Sequence, residues 1–222
     1  MSNAFEHFER IYERAWSQVI GSTHILESFN EHREENGEEK LKYNEVSEVT
    51  DMARFGIVLA VAAMDDYFTR KYAEVLVRSL KRHGVTPAFS KMLEDAGLDL
   101  AGALALLHMQ KPYGRIRKIA QDYYSGHVTQ SENRIDSLFE TIGISNLCSH
   151  AQRRAKRKAL LTSIRILVKR RHKIVHAGDM SRTGVIAKID NTLLKRIEHV
   201  ELFVKSADAH IEAFTKQKAK KR

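Results

Sequence analysis

Cysteine and proline are almost missing from this chain, with one Cys and two Pro among 222 residues. The single thiol, Cys148, cannot close an internal disulfide, which excludes a stapled secreted scaffold and points to a reducing cytoplasm. As a lone residue it reads as a small packed side chain rather than a nucleophile. So few prolines, together with few alternating apolar and polar runs, predict an all-α protein. No basic start followed by an apolar stretch opens the chain, so no secretory signal is read there. The longest apolar stretch, Phe55 to Met64, is far short of the roughly 20 residues of a membrane span. Internal repeats and a marked linker are also missing. Residues 1–222 therefore read as one soluble cytoplasmic domain with no membrane partner.

What the chain does have is positive charge, unevenly spread. The formal net charge is +9, yet residues 1–150 hold 17 Lys+Arg against 22 Asp+Glu, and residues 151–222 hold 20 against 6. A basic end of this kind attracts polyanions, with nucleic acid the usual partner. A solvated helix face is the plain alternative.

Apolar spacing predicts a first helix over 3–29, followed by an acidic loop over 30–44. A second helix begins near Ser47 or Thr50 and runs to about Arg82, where Gly84 to Pro87 stop it. Weaker signals place short helices at 88–96, 99–109, 114–124 and 132–142, an accessory layer over 88–143. A long basic helix is expected over 150–177, with Gly178 as its C-cap. A final helix runs from Asp190 or Asn191 to about Lys216, and 216–222 form a basic tail.

The basic helix carries the chemistry. About 100° per residue puts Leu160, Ile164, Leu167, Val168, Ile174 and Val175 on one apolar stripe. Arg171 lands near the middle of that stripe, where a guanidinium is costly to bury unpaired. His172 and His176 are four apart and share a face. Arg171 and His176 lie roughly 140° apart around the axis.

Three readings compete for these residues. In a structural reading Arg171 pairs with a buried acid; Asp65 and Asp66, which interrupt an uncharged run from Phe55 to Thr69, are the candidates. In a metal reading His172 and His176 are ligands, but no third ligand is supplied and Lys169, Arg170, Arg171 and Lys173 oppose a cation, so no metal is expected. In a phosphodiester reading a histidine moves protons and an arginine fork holds the phosphate.

The stretch Lys169-Arg170-Arg171-His172-Lys173-Ile174-Val175-His176-Ala177-Gly178 resembles the Arg-x(4–6)-His signature of the HEPN superfamily. The acidic pair in Ala62-Ala63-Met64-Asp65-Asp66-Tyr67-Phe68 is similar to the RiboL-PSP-HEPN branch, and the resemblance covers about residues 45–215. It implies an all-α, HEPN-like up-and-down helical bundle with additional short helices, pairing two-fold as a homodimer. It also implies a metal-independent endoribonuclease without cofactors that leaves a 2′,3′-cyclic phosphate, in a defence, toxin or RNA-processing role. An antitoxin or other regulatory protein is then a further partner. Carried over by residue, Arg171 binds the scissile phosphate, His176 moves protons, and His172 orients the phosphate or acts as a second acid or base. Asp65 or Asp66 supports Arg171, and Lys169, Arg170 and Lys173 hold the nucleic acid. The alternatives are a HEPN-type module that binds RNA or a partner without catalysis, and a purely structural interaction protein.

Overall fold

The computed structural model of the protein describes residues 2–125 and 130–216. Among these the elements are nine α-helices and one 3₁₀ turn, with no strand. They are α1 (Asn3–Glu35), the turn Tyr43–Glu45, α2 (Ser47–His83), α3 (Pro87–Asp95), α4 (Leu100–Leu107), α5 (Pro112–Ser125), α6 (Glu132–Glu140), α7 (Leu147–Arg154), α8 (Leu160–Ala177) and α9 (Asn191–Lys216). Part of the stretch between the expected helices 114–124 and 132–142, and the tail beyond Lys216, lie outside the described residues. No described helix is long and apolar enough to cross a membrane.

Most boundaries follow from local chemistry. Thr86 accepts the Phe89 amide at 3.0 Å, with Pro87 in the first turn of α3. Asp99 caps α4 and Asp190 caps α9 in the same way. Two expectations are corrected. α1 runs on to Glu35, because the charged residues 31–35 include no helix breaker. It stops where Gly37 turns left-handed (φ +71°) and the Glu38 amide reaches back to the Arg33 carbonyl. The expected helix over 150–177 is two helices, α7 and α8, because Lys156 takes a left-handed backbone (φ +52°) that no α-helix tolerates.

The chain forms two compact units, and α1, α2 and α9 each contribute a segment to both. The unit that carries the motif comprises 6–64 and 159–203. Its buried side chains come from α1 (Phe8, Tyr12, Ala15, Val19), the start of α2 (Val49, Ala53, Ile57, Val61), α8 (Leu160, Ile164, Leu167) and α9 (Leu194, Ile197, Val200). The Tyr12 hydroxyl donates to the Ile197 carbonyl at 3.3 Å. Gly56 sets how closely α1 approaches α2, since a Cβ there would stand 2.9 Å from both the Ala15 carbonyl oxygen and Val19 Cγ2.

The other unit comprises 2–5, 65–158 and 204–216. It holds the short helices around an aromatic core, in which Phe139 meets Phe68 and Tyr72 edge-on at 6.0 Å each. Cys148 is 1% exposed; its amide donates to Asp136 at 2.8 Å and its thiol to the Glu132 carbonyl at 3.7 Å. Burial first, then the Asp136 and Glu132 charges, push that thiol far above its usual range. Lys71 is fully buried in the same unit. Its ammonium lies 2.8 Å from Asp208 and 2.6 Å from Glu212, with Glu74 at 3.8 Å, and the Tyr67 hydroxyl donates to Asp208 at 2.9 Å. Burial alone would lower the Lys71 pKa, but the hydrogen bonds it donates to Asp208 and Glu212 outweigh it and raise it.

Candidate functional site

The first half of α8 is a core helix and its last half is not. Leu160, Leu161, Ile164 and Leu167 are buried, whereas His172, Lys173, Val175 and His176 are exposed. Val175 was expected on the core stripe and is instead 48% exposed. The apolar face of α8 outlasts the part of the unit that covers it.

Arg171 is half-buried on that uncovered stretch. Its Nε is shut off from water without a hydrogen-bond partner, and its guanidinium makes no ion pair within its unit. Asp66 holds Arg70 on its own helix at 2.7 Å, and Asp65 accepts from the Gln130 amide at 3.1 Å. His172 and His176 do come together, as i,i+4 spacing requires. Their rings lie 4.4 Å apart, tilted by 47°. Helix phase leaves Arg171 and His176 on separate faces of α8, about 140° apart.

The buried carboxylate of this region is Asp179, which sequence reasoning missed. It is 1% exposed and adopts φ +62° immediately after the left-handed cap Gly178. Its Oδ2 accepts from Arg54 Nε at 3.0 Å and from Arg170 Nη2 at 2.5 Å. Arg54 further donates to Thr50, Asp51 and the Ala187 carbonyl, and Arg170 to the carbonyls of Ala187 and Lys188. The acid thus fastens the end of α8 to α2 and to the loop before α9. An available signal was electrostatic: a carboxylate just past a helix C-terminus is disfavoured unless cations hold it there. A buried carboxylate of the kind sought beside Arg171 stands one position earlier, where Asp179 holds Arg170.

Lys169, Arg170 and Lys173 share one face of α8, and with Arg196 and Asp190 of the following segment they line a cleft of about 340 Å³. Arg196 is held there by a 3.0 Å hydrogen bond to the Ser163 hydroxyl, another residue absent from the sequence reading. Asp190 spends its Oδ1 on capping α9, and Lys169 and Lys173 have no carboxylate partner among the described residues. The cleft suits a phosphate. Among the described residues no group of three or more His, Cys, Asp or Glu is placed to hold a metal ion.

A family model described as RiboL-PSP-HEPN matches residues 22–213, which include the α8 motif and the segments that fix it. No curated protein and no solved structure matches the chain.

Proposed function

The chain belongs to the RiboL-PSP-HEPN family, and from that membership we propose that it is a metal-independent endoribonuclease working as a homodimer. The carrying observation is the pairing of two exposed imidazoles, His172 and His176, one turn from an arginine whose Nε has no partner. A base takes the proton from a ribose 2′-hydroxyl, O2′ attacks phosphorus, and the P–O5′ bond breaks as an acid protonates the leaving oxygen. The products are a 2′,3′-cyclic phosphate and a 5′-hydroxyl. His176 is assigned to proton transfer and His172 to phosphate orientation or the second transfer. Arg171 stabilises charge on the phosphorane, with Asp65 or Asp66 expected to bear on its orientation. Lys169, Arg170 and Lys173 hold flanking phosphates.

The 140° between Arg171 and His176 argues for a dimer, since a two-fold axis supplies a second copy of each residue. The apolar surface beside the motif supports it: Val175, Met180, Val185 and Ile186 are all about half exposed or more. Val175→Glu is expected to yield a monomer without nuclease activity; an active monomer would overturn the paired site.

The deciding experiment incubates purified protein with RNA in EDTA. Cleavage that survives EDTA, spares DNA and disappears in both His176→Ala and Arg171→Ala supports the enzyme. Full activity in His176→Ala removes the catalytic assignment. A second reading, RNA binding without catalysis, draws on the same separation of Arg171 from His176. Salt-sensitive binding with no cleavage would establish it. A role in defence, as a toxin restrained by another protein, follows from the enzyme reading alone.

A further inference from the structure

A second cationic cluster lies in the other unit, around the end of α7. Positions 153–158 hold five Lys or Arg and no acid. All five are exposed, and Arg154, Lys156, Arg157 and Lys158 pair with no carboxylate among the described residues. Beside them is a cleft of about 230 Å³ lined by Ile144, His150, His210 and Phe214 with small residues. The rings of His150 and His210 stack at 4.3 Å, only 16° from parallel. Arg153 Nη2 lies 3.1 Å from His150 Nδ1. Burial, then His150, Arg154 and Arg153, lower the His210 pKa. Two stacked imidazoles and a phenyl ring therefore line a slot whose cationic neighbours include Arg153 and Arg154.

That combination distinguishes among polyanions. A bare anion gains nothing from stacking on flat rings, and an acidic peptide or lipid headgroup brings no flat ring to fill the slot. Single-stranded RNA brings both, bases that stack and phosphates that pair with arginine. The slot is smaller than the ~300–1,000 Å³ of drug-sized pockets and suits one flat ring system.

We propose that the His150–His210–Phe214 cleft and Arg153, Arg154 form a second RNA-binding site, taking one unpaired base in the cleft and its flanking phosphates on the arginines. It rests on RNA being the ligand, and not on cleavage.

The test uses the full-length protein and a short 2′-O-methyl oligoribonucleotide, which cannot be cleaved through a 2′-hydroxyl, with anisotropy recorded across a salt series. Arg153→Gln/Arg154→Gln changes exposed side chains only. It is expected to weaken binding about tenfold or more and to flatten the log–log salt slope by about one, the loss of one to two phosphate contacts. An abasic version of the oligonucleotide should bind the wild type about fivefold or more weakly. That preference should vanish in His150→Ala/His210→Ala with the melting temperature unchanged. Unaltered affinity and slope in the arginine variant, or equal binding of the abasic strand by wild type, would overturn the site. So would polyglutamate displacing both strands equally, which marks a generic acidic-ligand surface. Cleavage in EDTA lost in His176→Ala, beside an inert arginine variant, would sink this site and leave the nuclease standing.

Discussion

Each unit buries cations, and the two do so in opposite ways. Lys71 is one ammonium among Asp208, Glu212 and Glu74, with Tyr67 locking the first of these acids. Asp179 is one carboxylate between two arginines, with Arg171 nearby in sequence lacking any partner within its unit. In the first network the buried ammonium is answered, and the surplus is negative and reaches solvent. In the second, cations outnumber the fully buried acid, and Lys169 and Lys173 beside it remain open. A closed network holds a fold together; an open one holds the fold and leaves capacity for an anion. The same chemistry closes around a cation in one unit and leaves cations open in the other.

The largest expected effect comes from breaking the second network. Asp179→Asn removes the buried charge that Arg54 and Arg170 share and should cost about 3–5 kcal/mol in denaturant unfolding. It leaves Arg54 with Thr50, the exposed Asp51 and the Ala187 carbonyl, and Arg170 with carbonyls. Amide exchange should quicken first near the end of α8. A cost below that of the Lys71 variant would mean that carbonyls suffice and that the acid is dispensable.

Lys71→Met is next, at about 2–4 kcal/mol, because Asp208 and Glu212 are 20% and 24% exposed and regain water once the ammonium is gone. The same variant sharpens the comparison through pH. Burial would raise the Glu212 pKa, but its hydrogen bond and charge pairing with Lys71 outweigh this and hold it below its ordinary 4.5. A depressed carboxylate pKa contributes stability that is present above the unfolded value and lost as pH falls through the folded one. Lys71, with a raised pKa, contributes below its ordinary 10.5 and loses that contribution as pH rises through the folded value. Acid unfolding of Lys71→Met should therefore begin at higher pH than in the wild type. Identical acid limbs would show that Glu212 draws nothing from the pair.

The smallest effect is a control. Arg70→Ala removes the exposed Asp66 pair and should change stability by under about 0.5 kcal/mol. A larger loss would mean that surface pairs, and not buried ones, set the contrast.

Long elements were legible from sequence because their signals reinforce one another. The apolar run of α2 ends at Gly84 to Pro87, and Asp190 announces α9. The division at Lys156 was not, since a left-handed backbone at a lysine leaves no trace in a run without glycine or proline. At the site, the His172–His176 pair followed directly from spacing. Which of three adjacent cations meets the buried acid did not follow. One residue of helix turns the side chain by about 100°, and Asp179 reaches Arg170 only after the chain doubles back past Gly178. Helix periodicity describes α8 alone, whereas the partner belongs to the loop.

Cys148 gives the protein a practical property. Its thiol is sealed by packing and held protonated, so the folded chain has a surface without reactive sulfur. A cysteine placed at Val175 or at Lys156 would take a label alone. One marker on the α8 motif and one past the end of α7 would then test the proposed pairing and the proposed RNA binding in an otherwise unaltered chain.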